Sequence, residues 1–301
     1  MDVSKEISDT TYALYKCSPL SNFLTGKRNV RYFKKRIAKQ LSDDLDWVID
    51  HGEIQGEWPH AGKITRLLFE TLEMEDFETD QTYKTLSPLQ LTLDCYVKGK
   101  ISKQSMVMLP TNVASEVNEV CWNYPLMLAK ISKGVYSVLS ELFLSDFQAT
   151  ISPLDILPKT MEHIICLNAE PLFDIELEDP QIHDGDAQSR SRTALLLEYS
   201  TGLDELKTIQ LELSMDQVAK ISALAGGPDK FYNAFCEHIL NTTHIKLTTL
   251  HLTSLSCDIL TVSMESGKIK FRGDGPRYSA YKVLYHLLEI AYSEISEFSW
   301  A

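Results

Sequence analysis

The sequence lacks the local signatures that identify many enzymes and metal proteins. It contains no Gly-x-Gly-x-x-Gly, no Gly-Lys-[Ser/Thr] phosphate loop and no Gly-x-Ser-x-Gly segment. Its histidines form no His-Glu-x-x-His set, and its six cysteines form no Cys-x-x-Cys pair. No apolar run is long enough to cross a bilayer, and the polar, acidic N-terminus is unlike a secretory signal. We therefore expect a cytosolic or nuclear protein with reduced cysteines, no metal, no cofactor and no membrane partner.

Positive charge is scarce and locally concentrated. The 301 residues hold 29 Lys and Arg against 42 Asp and Glu, a net charge of −13, which disfavours indiscriminate binding to nucleic acid. Between residues 27 and 39, however, there are seven cations and no acid: Lys27, Arg28, Arg31, Lys34, Lys35, Arg36 and Lys39. This segment predicts a helix over 29–41 that either exposes a solvated face or contacts phosphate.

The C-terminal end predicts two strands, a hairpin and one long helix. Residues 244–252 and 257–264 are rich in β-formers, and 265–267 is typical of a hairpin turn. In the next strand, period two places Ile269 and Phe271 on one face and Lys268, Lys270 and Arg272 on the other. Apolar residues then repeat at helical spacing from Tyr281 to Ile295. Cations on alternate positions favour either a solvated face or a phosphate-binding face.

The remaining patterns predict an α+β fold with antiparallel β-sheets and flanking helices. Strands are predicted over 11–15, 89–97, 101–109, 193–199 and 207–213, and helices over 135–147 and 156–168, the latter with a strand as the alternative. Ser214 and Gln217 form a capping-box pattern before a helix that Gly226-Gly227 ends. We expect an N-terminal subdomain over 1–168 and a partner-binding C-terminal subdomain over 169–301.

Two acidic stretches are predicted to be loops. The first covers 70–80 within an acidic region, and the second covers 171–188, which holds no Lys or Arg. Carboxylates such as Glu176, Glu178 and Asp184 leave open an enzyme of unknown class. Since calcium-loop spacing is absent, we expect a solvated acidic loop rather than a catalytic or metal site.

Short segments spread along the chain resemble the centromere protein L family of the inner kinetochore. The opening Leu14-Tyr-Lys-Cys-Ser-Pro-Leu-Ser-Asn-Phe23 is similar to the family's N-terminus, and Ser152-Pro-Leu154 fits its middle. His238-Ile-Leu, Ile245-Lys-Leu-Thr and Ser266-Gly-Lys-Ile-Lys270 before the terminal helix resemble its C-terminal part. The anchors keep the family's order and span nearly the full length.

The resemblance implies a non-enzymatic scaffold in the nucleus, at the centromere and kinetochore. The family pairs with centromere protein N and contacts centromere protein C and the H-I-K-M subcomplex beside the centromeric nucleosome. The pair forms a basic channel for linker DNA, which Lys268 and Lys270 are expected to face; Arg272 lies beyond the matching motif. The basic 27–39 segment departs from the family pattern, so its DNA role rests on charge alone. The family forms this pair through its C-terminal sheet. The alternative is a homodimer in which two copies of the chain associate through the same sheet edge.

Overall fold

The computed structural model describes most of the chain: residues 2–21, 23, 27–49, 62–73, 87–97, 100–111, 121–178, 193–203, 206–273 and 277–298. Within them the helices are α1 Val3–Ile7, α2 Lys27–Leu45, α3 Lys133–Phe147, α4 Pro158–Glu178, α5 Met215–Ala225, α6 Phe231–Thr243 and α7 Arg277–Phe298. The strands are β1 Thr11–Cys17, β2 Leu20–Ser21, β3 Trp47–Ile49, β4 Gly62–Thr71, β5 Leu89–Val97, β6 Lys100–Leu109, β7 Cys121–Trp122, β8 Leu126–Lys130, β9 Ile151–Pro153, β10 Thr193–Ser200, β11 Thr208–Ser214, β12 His251–Cys257, β13 Leu260–Ser263 and β14 Lys268–Phe271.

The chain divides into two compact units. Unit 1 comprises Met1–Glu6, Tyr12–Leu154 and Leu288–Ala301, and unit 2 comprises Ile7–Thr11 and Asp155–Leu287. The subdomain boundary after residue 168 stays a prediction. Among the described residues, no helix is both long and apolar enough to cross a membrane.

Unit 1 is built on a largely antiparallel sheet in the order β3-β4-β5-β6-β8-β1, with β9 paired to β1. Only β3 and β4 run parallel among these described strands. Helices α2 and α3 contribute their apolar sides to one core with the inner sheet face. At its centre Phe33 meets Phe69 and Phe147 edge-on, with ring centroids 5.1 and 5.2 Å apart, an arrangement that aromatic quadrupoles favour.

Unit 2 contains an antiparallel sheet in the order β11-β10-β12-β13-β14. Its strands alternate as half-buried sheets do: Leu197, Leu255, Val262 and Ile269 are completely buried, whereas their chain neighbours are not. Helix α4 packs against α5 and α6. The amine of Lys282 in α7 lies 2.7 Å from both carboxylate oxygens of Glu170 in α4, so α7 also lies beside α4.

The α+β class and its main elements are confirmed. Strands β1, β5, β6, β10, β11 and β14 and helices α2, α3, α5 and α7 match their predicted segments, and β5 pairs with β6 as predicted. The capping box of α5 is complete, because the Ser214 hydroxyl accepts from the Gln217 N–H and the Gln217 side chain accepts from the Ser214 N–H. The 156–168 segment is a helix.

Three expectations about individual segments were wrong. The predicted strand over 244–252 begins only at His251, since His244 ends α6 in a left-handed conformation and Leu247–Thr249 forms a 3-10 turn. The predicted loop over 171–188 is helical through Glu178, because α4 continues past Pro171. The predicted loop over 70–80 begins within strand β4, because that strand pairs with β5. Residues 179–188 and 74–80 lie outside the described residues.

We expect Phe33→Ala to lower the free energy of unfolding by about 3–5 kcal/mol, because it leaves a cavity in the aromatic core of unit 1. Tyr32 is the matched control: it is the preceding residue of α2 and is 59% exposed. Tyr32→Ala should change stability by less than about 0.5 kcal/mol. Chemical denaturation of both variants measures the difference, and equal destabilisation by the two substitutions would contradict the described packing.

Candidate nucleic-acid interface

The turn before β14 fixes which side chains that strand exposes. Gly267 adopts a positive φ of 58°, and its N–H donates to the Met264 carbonyl at 3.1 Å. Strand β14 then pairs with β13 so that Val262 opposes Ile269. Ile269 and Phe271 are buried, which obliges Lys268 and Lys270 to point to the opposite, outer face of the sheet.

Two cross-strand rows of hydrogen-bond donors extend from these lysines. In the first row, Lys270 lies opposite Thr261, which lies opposite Ser256. In the second, Lys268 lies opposite Ser263, which lies opposite Ser254. The four hydroxyl residues are partly exposed. Each row therefore presents a cation followed by two hydroxyls over three adjacent strands. Amines and hydroxyls are both able to donate hydrogen bonds to phosphate oxygens, but the proton of Ser254 is donated to Glu198.

Arg272 joins the first row from the end of β14. Its guanidinium donates to the Ser256 hydroxyl at 2.8 Å, and that hydroxyl lies 3.0 Å from the hydroxyl of Thr261. Arg272 is exposed. These bonds orient a cation next to the two hydroxyls without neutralising its charge.

Acidic groups among the described residues also lie close to this face. A carboxylate oxygen of Asp9 lies 3.9 Å from the amine of Lys270, with both side chains well exposed, and such a surface pair contributes about 0–1 kcal/mol. On β10, Glu198 accepts a hydrogen bond from Ser254 at 3.1 Å. Positive charge is thus greatest at β14 and decreases toward β10.

The basic helix α2 shows a similar division, in unit 1. Phe33, Ile37 and Leu41 are buried in the core, and the cations Arg31, Lys35 and Lys39 are exposed on the other side. Lys34 is partly exposed. Lys27 and Arg28 lie in the first turn of the helix, and their side chains are outside the described residues.

Arg36 of α2 forms an ion pair within the chain. Its Nε and Nη2 atoms each lie 3.0 Å from a carboxylate oxygen of Asp146 in α3. Hydrogen bonding from Arg36 is the main reason that the pKa of Asp146 lies below its ordinary value. This bidentate pair joins α2 to α3, a contact between residues too distant in sequence for local patterns to reveal.

The other candidate site is a cleft of about 480 Å³ beside α4 in unit 2, lined by residues that include Glu162, His163, Cys166, Asp229 and Tyr232. The His163 ring lies 3.9 Å from that of His286, centroid to centroid. Burial, with a smaller contribution from His163, lowers the pKa of His286 from 6.5 to about 4. Burial also raises the pKa of the Cys166 thiol. The raised pKa keeps the Cys166 thiol protonated at neutral pH, and a protonated thiol is a weak nucleophile.

The described residues contain no group of three or more His, Cys, Asp or Glu side chains arranged to hold a metal ion. The five cysteines whose side chains are described are free thiols. Burial raises the pKa of Cys17 to about 12 and that of Cys257 to about 11, as in structural thiols. The carboxylates Glu176, Glu178 and Asp184 of the enzyme hypothesis have side chains outside the described residues.

Comparison with protein families identifies the chain. The family model described as centromere protein L matches residues 6–292 of the 301. The chain belongs to the centromere protein L family. The resemblance inferred from short motifs is thereby confirmed, and with it a role at the centromere and kinetochore. No curated protein matches the chain.

The lowered pKa of His286 predicts a loss of stability in acid. Because the folded state holds this imidazole neutral, its contribution is present above the ordinary pKa of 6.5 and is lost as pH falls toward about 4. We expect His286→Phe to reduce the decline in unfolding free energy between pH 6.5 and about 4. His238→Gln, a change at an exposed histidine, should leave the decline unchanged. Denaturation at several pH values measures both, and equal pH profiles for His286→Phe and the unaltered chain would contradict the assignment.

Proposed function

We propose that this protein is a non-enzymatic inner-kinetochore scaffold that pairs with a centromere protein N homologue and binds centromeric linker DNA through phosphate contacts. The observation that carries the DNA assignment is the outer face of β14, where Lys268, Lys270 and Arg272 adjoin a surface of serine and threonine hydroxyls. Cations and hydroxyls that contact phosphate do not read base sequence. Binding should therefore be insensitive to sequence and strongly sensitive to salt.

The cations of α2 are a second, separate contribution to this proposal. Arg31, Lys35 and Lys39 are exposed, and Lys34 is partly so. Lys27 and Arg28 belong to the proposal on sequence grounds alone. Arg36 contributes less, because its guanidinium is engaged with Asp146.

Charge and sheet structure support a heterodimer. With a net charge of −13, the chain gains from a basic partner that supplies the long-range field toward DNA. Strand β11 ends the described strand order of unit 2, and a sheet edge can recruit a partner strand. Leu203 and Leu206 precede β11 and are 62% and 51% exposed. We propose that a centromere protein N homologue covers this edge and these leucines.

Family membership supports the remaining assignments of the proposal. The scaffold resides in the nucleus, within the constitutive network beside the centromeric nucleosome. There it contacts centromere protein C and the H-I-K-M subcomplex, and in this way it supports kinetochore assembly and chromosome segregation.

Replacing the three cations of the β14 face tests the DNA assignment. We expect Lys268→Gln/Lys270→Gln/Arg272→Gln to lower DNA affinity and to reduce the salt slope by about one for each phosphate that is no longer neutralised. The control Lys159→Gln/Lys230→Gln/Lys246→Gln removes the same charge from exposed positions elsewhere in unit 2. Fluorescence anisotropy on the complex with a duplex of random sequence measures both. Equal slopes for the two variants would exclude the β14 face.

Light scattering tests the heterodimer against the homodimer. We expect Leu203→Glu/Leu206→Glu to weaken association with the centromere protein N homologue at least about tenfold, with unchanged thermal stability of the chain itself. Leu144→Glu, at a similarly exposed leucine on α3, is the control. A homodimer that persists in excess partner would contradict the proposal.

A further inference from the structure

The outer face of the unit 1 sheet carries a group of cations that lie far apart in the sequence. Cross-strand pairing brings together Arg66 of β4, Lys103 of β6 and Lys130 of β8, all exposed. They come from three separate strands, so their proximity depends on the fold. The inner face of the same strands belongs to the core with α2 and α3, so these side chains point away from it.

The hydroxyls on this face repeat the arrangement found beside β14. Lys130 lies opposite Ser105, and Ser105 lies opposite Thr92. This is again a cation followed by two partly exposed hydroxyls on three adjacent strands, spanning about 10 Å at the usual strand spacing. The same donor chemistry thus occurs on the sheets of both units.

One carboxylate lies within the cationic group. Asp94 is opposite both Arg66 and Lys103, on the strand between them. One of its oxygens is buried and has no hydrogen-bond partner among the described residues. Lys130 lies farther along the same face, opposite Ser105 rather than this acid. The three exposed cations therefore outnumber the one carboxylate in this part of the described sheet, whereas acids outnumber cations in the chain as a whole.

The other end of the face is covered or acidic, which limits where a ligand can bind. Val107 and Leu128, on the same side of β6 and β8, are completely buried. Gln90 there donates to the Glu6 carboxylate of α1 at 3.0 Å and lies opposite Glu70 of β4. A polyanion is therefore expected only on the cationic part of the face.

Apolar side chains border the cationic part. Tyr96 and Ile101 lie opposite each other and are 43% and 70% exposed. Tyr96 also lies opposite Lys63 on the neighbouring strand. This part of the face is thus exposed and mixes cations, hydroxyls and one apolar pair.

We infer that this face, which comprises Arg66, Lys103, Lys130, Ser105 and Thr92, is a second binding surface for the phosphate backbone of DNA. The inference rests on the proposed function, since it assigns the same ligand to a site in the other unit. Charge complementarity and the repeated cation-hydroxyl-hydroxyl row favour phosphate. An acidic protein segment is the competing occupant, because it would also bury the neighbouring apolar pair.

The first test removes the charges. Arg66→Gln/Lys103→Gln/Lys130→Gln should lower the affinity for a duplex of random sequence about tenfold or more at physiological salt and reduce the salt slope by about three. The protein is the full chain, alone and with its centromere protein N homologue. The exposed triple variant of Lys159, Lys230 and Lys246 is the matched control. A slope equal to that of the control variant would overturn the inference.

The second test removes only the hydroxyls. Thr92→Val/Ser105→Ala should weaken DNA binding severalfold without changing the salt slope, because neutral donors release no counterions. A merely solvated face would show no change in affinity, which would overturn the inference. Retained thermal stability establishes that the variant is folded.

The last comparison distinguishes the two surfaces and the two occupants. If the β14 variant has a smaller salt slope and the unit 1 variant does not, the proposed function survives and this inference fails. If the unit 1 variant alone has a smaller slope, this inference survives and the β14 assignment fails.

If Tyr96→Ser/Ile101→Ser abolishes binding of the partner subunit or subcomplex while the charge variant leaves DNA affinity intact, the face is a protein-docking surface and the inference is overturned.

Discussion

The structure depends most on the period of two along paired β-strands. Burial of Ile269 and Phe271 determines that Lys268 and Lys270 lie on the opposite face, and register with β13 and β12 then sets which hydroxyls adjoin them. A slip of one residue would bury the lysines without partners, at a cost of several kcal/mol for each desolvated charge. The apolar core of unit 2 therefore also maintains its cationic surface.

The same constraint explains how an acidic protein can present basic surfaces. Attraction of a polyanion to a surface depends on where charge lies on each sheet, rather than only on the total charge. In both units an apolar inner face fixes the orientation of cations on the outer face. Arg36 differs, because its guanidinium forms a bidentate pair with Asp146 and joins α2 to α3.

Local pattern was sufficient where the determining contacts are local. Alternation in β14, the glycine turn at Gly267 and the Ser214 capping box were all predictable, because neighbours in sequence determine them. The conformation of the 244–250 segment was not predictable, since a left-handed His244 and a 3-10 turn override its β-forming composition. The sequence also could not predict the cationic group of Arg66, Lys103 and Lys130, because only strand pairing brings these residues together. Sequence therefore located the first cationic face and missed the second.

The central claim is that Lys268 and Lys270 face DNA. Its most direct test is the chemical reactivity of individual lysines in the complex with the centromere protein N homologue, measured with and without duplex DNA. Limited acetylation followed by mass spectrometry reports each amine separately. The account predicts that DNA protects Lys268 and Lys270, while Lys230 and Lys246, which are exposed elsewhere in unit 2, react as before. Equal reactivity of Lys268 and Lys270 with and without bound DNA would contradict it.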